Sequence, residues 1–102
     1  MPQLAIRCHP CAPVANEEVE QWLTDEVERL RATAPRAVLR LFRISHRAPS
    51  GDAEVGWMIE FDAAIGPPLD EDGLAAVLRD MRLLGLQPTV LRALENGAGP
   101  GT

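Results

Sequence analysis

The sequence predicts an α+β domain with the element order β-α-β-β-α-β, and three observations carry that expectation. Residues 3–8 and 55–63 alternate apolar and polar side chains at the period of a half-buried strand. Residues 19–30 and 74–84 repeat apolar side chains at helical spacing. Proline, glycine and aspartate separate every one of these segments from the next.

The first strand runs from Gln3 to Cys8, with Leu4, Ile6 and Cys8 on one face and Gln3, Ala5 and Arg7 on the other. A proline-broken connector, His9 to Ala15, leads to Asn16 as a helix cap. Glu17 and Glu18 suit the positive end of the helix dipole, and Arg29 and Arg31 suit the other. Val19, Trp22, Leu23, Val27 and Leu30 form the stripe that the helix buries, and Pro35 lies just beyond its end.

Residues 37–46 read as the second strand, but Leu39 and Leu41 oppose Val38, Phe42 and Ile44, which predicts a bulge. The turn chemistry of residues 47–54 follows. The third strand then sets Val55, Trp57, Ile59, Phe61 and Ala63 against Gly56, Met58, Glu60 and Asp62. Asp70 or Asp72 caps a second helix striped by Leu74, Val77, Leu78, Met81 and Leu84. Gly85 followed by Leu86 predicts a left-handed stop. Thr89 to Leu94 is expected to be the last strand.

This order is the ferredoxin-like split motif: a four-stranded antiparallel sheet with both helices on one face. Residues 1–94 form a single domain in this reading, and the glycine-rich residues 95–102 form a flexible tail.

Composition narrows the function. The chain has 102 residues, a net charge of -5, 46% hydrophobic and 25% charged residues, the balance of an ordinary globular domain. The negative charge and the absence of tyrosine argue against nucleic acid as a partner. All ten basic residues are arginine, which excludes lysine chemistry and a phosphate-loop lysine. No apolar run approaches the ~20 residues of a membrane span, and two cysteines are too few for a disulfide scaffold. The expectation is a cytoplasmic protein with reduced thiols and no membrane association. No serine–histidine–aspartate arrangement or glycine-rich phosphate loop is present, so no catalytic residue is assigned.

The chemistry-bearing stretch is Cys8-His9-Pro10-Cys11. Parallel first and second strands would gather Cys8, His9, Cys11 and His46 at one end of the sheet. The CxxC spacing, with Pro88-Thr89 in "QPTVLRALENG", resembles thioredoxins in two short segments. Arg7 stands where that family has tryptophan, and Pro13 opposes a helix starting at the cysteines. In order and placement the chain also resembles heavy-metal-associated domains of the copper-chaperone type, which carry CxxC in the first strand-to-helix loop. That resemblance implies copper held by Cys8 and Cys11, or zinc completed by His9 or His46. Ile6 replaces the methionine that the family has two residues before the first cysteine.

The favoured reading makes neither a site. Cys8 continues the Leu4–Ile6 core face as a small buried hydrophobe. A trans His9–Pro10 bond keeps the loop extended and holds Cys8 and Cys11 ~9 Å apart, beyond disulfide reach. His46, at a strand end, reads as a solvated or capping histidine.

The other candidate surface is the uncovered sheet face, carrying Ala5, Arg7, Gly56, Met58, Glu60 and Asp62, with Arg40 or Arg43 and Arg92 beside them. Interleaved charges predict cross-strand ion pairs there. The resulting expectation is a homodimeric binding module without a cofactor, whose ligand or dimer surface includes Arg7, Met58, Glu60, Asp62 and Arg92. Its partner is a second copy, with a small molecule or another protein as further partners. The alternatives are a soft-metal thiolate protein and a cofactor-free enzyme resembling the dimeric α+β barrels.

Overall fold

The computed structural model describes residues 3–11, 13–35, 37–64 and 67–92. Its elements are β1 (Leu4–Pro10), α1 (Asn16–Thr33), β2 (Ala37–Arg47), β3 (Ala53–Ala63), α2 (Glu71–Leu84) and β4 (Leu86–Arg92). The strands form one sheet in the order β2-β3-β1-β4, every neighbour antiparallel, so the fold is the ferredoxin-like βαββαβ sandwich. The tail assigned to residues 95–102 lies outside the described residues.

Alternation decides the faces. Leu4, Ile6, Cys8, Leu39, Trp57, Ile59, Phe61 and Leu86 are buried on one side, against Val19, Leu23, Val27 and Leu30 of α1 and Leu74, Val77 and Met81 of α2. Both helices therefore cover the same face. Trp57 is 1% exposed, and Trp22 packs at the rim of the core. Glu26 is buried on α1 and paired with Arg29.

The helix ends follow local chemistry. Asp70 Oδ1 accepts the Gly73 N–H at 2.6 Å, which settles the cap of α2 in favour of Asp70. Gly85 ends α2 with φ 95°, the left-handed stop. At α1 the expected cap is displaced: Asn16 is the first helical residue, and Ala15 holds the cap position without a side-chain bond.

Two strands depart from expectation. β2 has no bulge, since Ala37 to Arg47 pair continuously with Ala63 to Ala53. Its mixed alternation means apolar residues on both faces instead. β4 begins three residues early, at Leu86, and puts Leu86, Pro88 and Val90 on the helix face. Arg92 shares that parity, so it sits on the helix side and contacts Glu71 of α2 rather than the open face. Arg43 likewise lies on the helix side, and Arg40 is the open-face member of that pair.

The phase of the ladder follows from one bond. The Cys11 N–H donates to the Gly85 carbonyl at 2.9 Å, continuing the β1–β4 register one step past Pro10–Leu86. Hydrogen-bonded pairs in an antiparallel ladder alternate, so the backbone groups of Ala5, Arg7 and His9 aim at β4, and those of Leu4, Ile6 and Cys8 at β3. Carried across β3, the same phase turns Leu39, Leu41, Arg43 and Ser45 outward on β2. Leu39 bears this out, its carbonyl accepting from the Arg31 guanidinium at 3.1 Å. On β4 the outward positions are Leu86, Pro88, Val90 and Arg92, so proline occupies a place where no ladder donor is lost.

Candidate functional site

The CxxC stretch is divided between the core and the surface. β1 continues extended through Pro10, and the described residues contain no cis peptide bond. Cys8 is 1% exposed on the core face, and His9 pairs with Gln87 on the opposite face. Cys11 is exposed; its Sγ donates to the Gly85 carbonyl at 3.3 Å. Both thiols are free. Burial pushes the Cys8 thiol up to about 12, so in this structure it is protonated and packs as a small hydrophobe. Strand alternation thus sends Cys8 and His9 to opposite sides of the sheet. Among the described residues no group of three or more histidine, cysteine, aspartate or glutamate side chains can hold a metal. The side chain of His46 lies outside the described residues.

The open sheet face is different in kind. Cross-strand partners place Arg40, Glu60, Ala5 and Leu91 in one row, and Phe42, Met58, Arg7 and Thr89 in the next. Val38 and Ile44 flank these rows on β2, opposite Asp62 and Gly56. Four large apolar side chains are strongly exposed among the described residues, and three of them lie here: Val38 at 52%, Phe42 at 40% and Leu91 at 39%. Met58, beside Phe42 on β3, and Ile44, beyond Phe42 on β2, add half-buried apolar surface.

Among the described residues the predicted cross-strand ion pairs do not form. Among the described residues Arg7, Arg40 and Glu60 make no ion pair within 4 Å, although Arg40 and Glu60 are register partners. Asp62 is engaged locally, accepting the Gln3 N–H at 2.9 Å. The ion pairs that do form lie on the helix side, as in Arg43–Glu20 and Arg92–Glu71. The site residues of the sequence reading thus separate: Arg7, Met58, Glu60 and Asp62 share the open face, and Arg92 leaves it.

Sequence reasoning missed Val38, Phe42 and Leu91 as members of this face. The signal for β2 was its double-sided apolar pattern, and the signal for Leu91 was the Leu86–Pro88–Val90 alternation that fixes its parity.

A second polar group holds the far end of the core. The Trp57 indole N–H donates to Glu20 at 3.0 Å, and Arg43 Nε donates to the same carboxylate at 2.6 Å. The indole bond first, and then the guanidinium, hold the Glu20 carboxyl below its ordinary range. A hollow of about 430 Å³ opens between α1 and the start of α2, beside Arg29 and Pro68. The Asp70 carboxylate there accepts the Gly73 amide at the N-terminus of α2.

Comparison with known protein families, curated proteins and solved structures found no match. Among the described residues no helix is long and apolar enough to cross a membrane.

Proposed function

We propose that this protein is a homodimeric interaction module whose open sheet face is covered by the same face of a second copy. The observation that carries the reading is the concentration of exposed Val38, Phe42 and Leu91 on the one face the helices leave bare. Charge supports a self-partner. A twofold interface sets residue i against j and j against i, so Arg7 and Arg40, which make no ion pair among the described residues, can meet Glu60 of the other copy. Size supports it as well. Two strands of 11 residues and two of 7 give a face of about 570 Å² in projection, at ~3.3 Å per residue and ~4.8 Å per strand. Side-chain relief raises the accessible area toward the ~800 Å² per partner of a standard interface.

Light scattering coupled to gel filtration tests the reading. The wild type is expected at twice 11.1 kDa. Val38→Asp/Phe42→Asp is expected to run as a folded monomer, with unchanged circular dichroism. A wild type that stays monomeric at high micromolar concentration, or a double variant that stays dimeric, would overturn the assignment.

A further inference from the structure

We propose that Arg7 of each copy, set against Glu60 of the other, selects the second copy in one register, with the strands of the two sheets antiparallel. This rests on the face-to-face dimer and names the residues that choose the partner. A dimer of separate chains has no strand that turns from one sheet into the other, so its sheets pack aligned, with strand directions within about 30°. The twofold axis then lies between the sheets and runs either along the strands or across them.

Charge removes most positions of that axis. Laid across the row of Arg40 and Glu60, it sets each of them on its own copy. Laid across the row of Met58 and Arg7, it sets Arg7 on Arg7. One step toward Val38 brings Asp62 onto Glu60, and one step toward Ile44 brings Glu54 onto Glu60. An axis along β3 or β1 repeats the Glu60 or the Arg7 clash, and one nearer either margin leaves β4 or β2 uncovered. Two positions remain: along the strands between β3 and β1, or across them between the two rows.

Shape and apolar contact decide between them. The first sets Phe42 on Thr89 and Leu91 on Arg40. The second sets Val38 on Ile44, and Phe42 beneath the Arg40 guanidinium, where its ring face attracts the cation. It also lays large side chains over small ones. Asp62 meets Gly56, which is buried, and the exposed Arg7 lands on Ala5, which is 4% exposed. Glu60 is the register partner of Ala5, roughly 5 Å away on β3, so the Arg7 guanidinium of one copy reaches the Glu60 carboxylate of the other. Symmetry makes that pair twice.

The test mixes variants and weighs them by light scattering. Arg7→Glu and Glu60→Arg should each weaken dimerisation at least tenfold, since each sets like charges together twice. An equimolar mixture of the two should recover the dimer, because each copy then offers the charge the other needs, a recovery that an unfolded variant cannot give. In a Cys11→Ser background, Val38→Cys mixed with Ile44→Cys should be joined by a short bismaleimide, and neither alone. The axis along the strands would hold those two positions roughly 25 Å apart. A monomeric wild type overturns the dimer and the register together. A dimeric wild type overturns the register alone if its single variants stay dimeric, if their mixture stays monomeric, or if the cysteine pair does not cross-link.

Discussion

Substituting the two cysteines one at a time separates a structural thiol from a working pair. Cys8 sits at 1% exposure in the core cluster with Ile6 and Trp57, and among the described residues no hydrogen bond reaches its sulfur. Serine there is nearly the same size but brings a hydroxyl with no partner, which costs about 1–3 kcal/mol. Alanine removes one buried heavy atom and leaves a small void, at about 1 kcal/mol. A chain of this length loses about 5 °C of melting temperature per kcal/mol. Cys8→Ser should therefore melt about 5–15 °C below wild type, and Cys8→Ala about 5 °C below. Cys11→Ser, at an exposed position, should shift by less than about 3 °C. Calorimetry reads the order, and a thiol reagent at pH 8 should modify one cysteine per native chain. The reasoning fails if Cys8→Ser is as stable as Cys8→Ala, or if Cys11→Ser costs as much as either. Equal losses at both positions are the signature of a shared bond or metal.

Other expectations follow from the same geometry. Amide exchange along β2 should alternate, with Leu41, Arg43 and Ser45 on the order of a hundredfold faster than Arg40, Phe42 and Ile44, and a uniform profile would refute the ladder phase. The native pKa of Glu20 is depressed, so its contribution to stability is complete above the ordinary carboxylate range and is lost as pH falls through and below it. Glu20→Gln should flatten the acid limb of a melting-temperature profile between about pH 5 and pH 3. The Cys8 thiol is raised, so its contribution is complete below the ordinary thiol range and is lost as pH climbs toward about 12; Cys8→Ala should flatten the alkaline limb. Asp70→Ala removes the α2 cap and Gly85→Ala forces a side chain onto φ 95°; each should lower melting by about 5 °C, measured by circular dichroism.

Strands β1 and β3 were legible because one face of each is buried, and burial imposes the two-residue period directly. The stops at Asp70 and Gly85 were legible because capping chemistry is local. β2 was ambiguous for a physical reason: apolar residues serve both its core face and the bare face, so the pattern no longer marks a single side. The same lapse in parity at the start of β4 put Arg92 on the wrong face. Glu26 occupies the helical position between Leu23 and Leu30, so the stripe spacing pointed to its burial while its charge argued against it. The Trp57–Glu20 bond joins residues 37 apart and depends on how α1 lies over the sheet, which no local pattern encodes. For the candidate site, the cysteines were rightly placed as core and loop, whereas the apolar content of the open face became visible only once the register was fixed.

Pro88 gives the sheet a polarity that is easy to overlook. Runaway stacking of strands into a fibril needs a receptive rim on each side, so that every newcomer leaves a fresh one behind. Among the described residues Pro88 takes one amide donor out of the β4 rim, whereas the 11-residue β2 rim carries no proline. A copy that paired through β2 would therefore offer the next only the proline-interrupted β4 rim, so the two rims do not form an equal, repeating template.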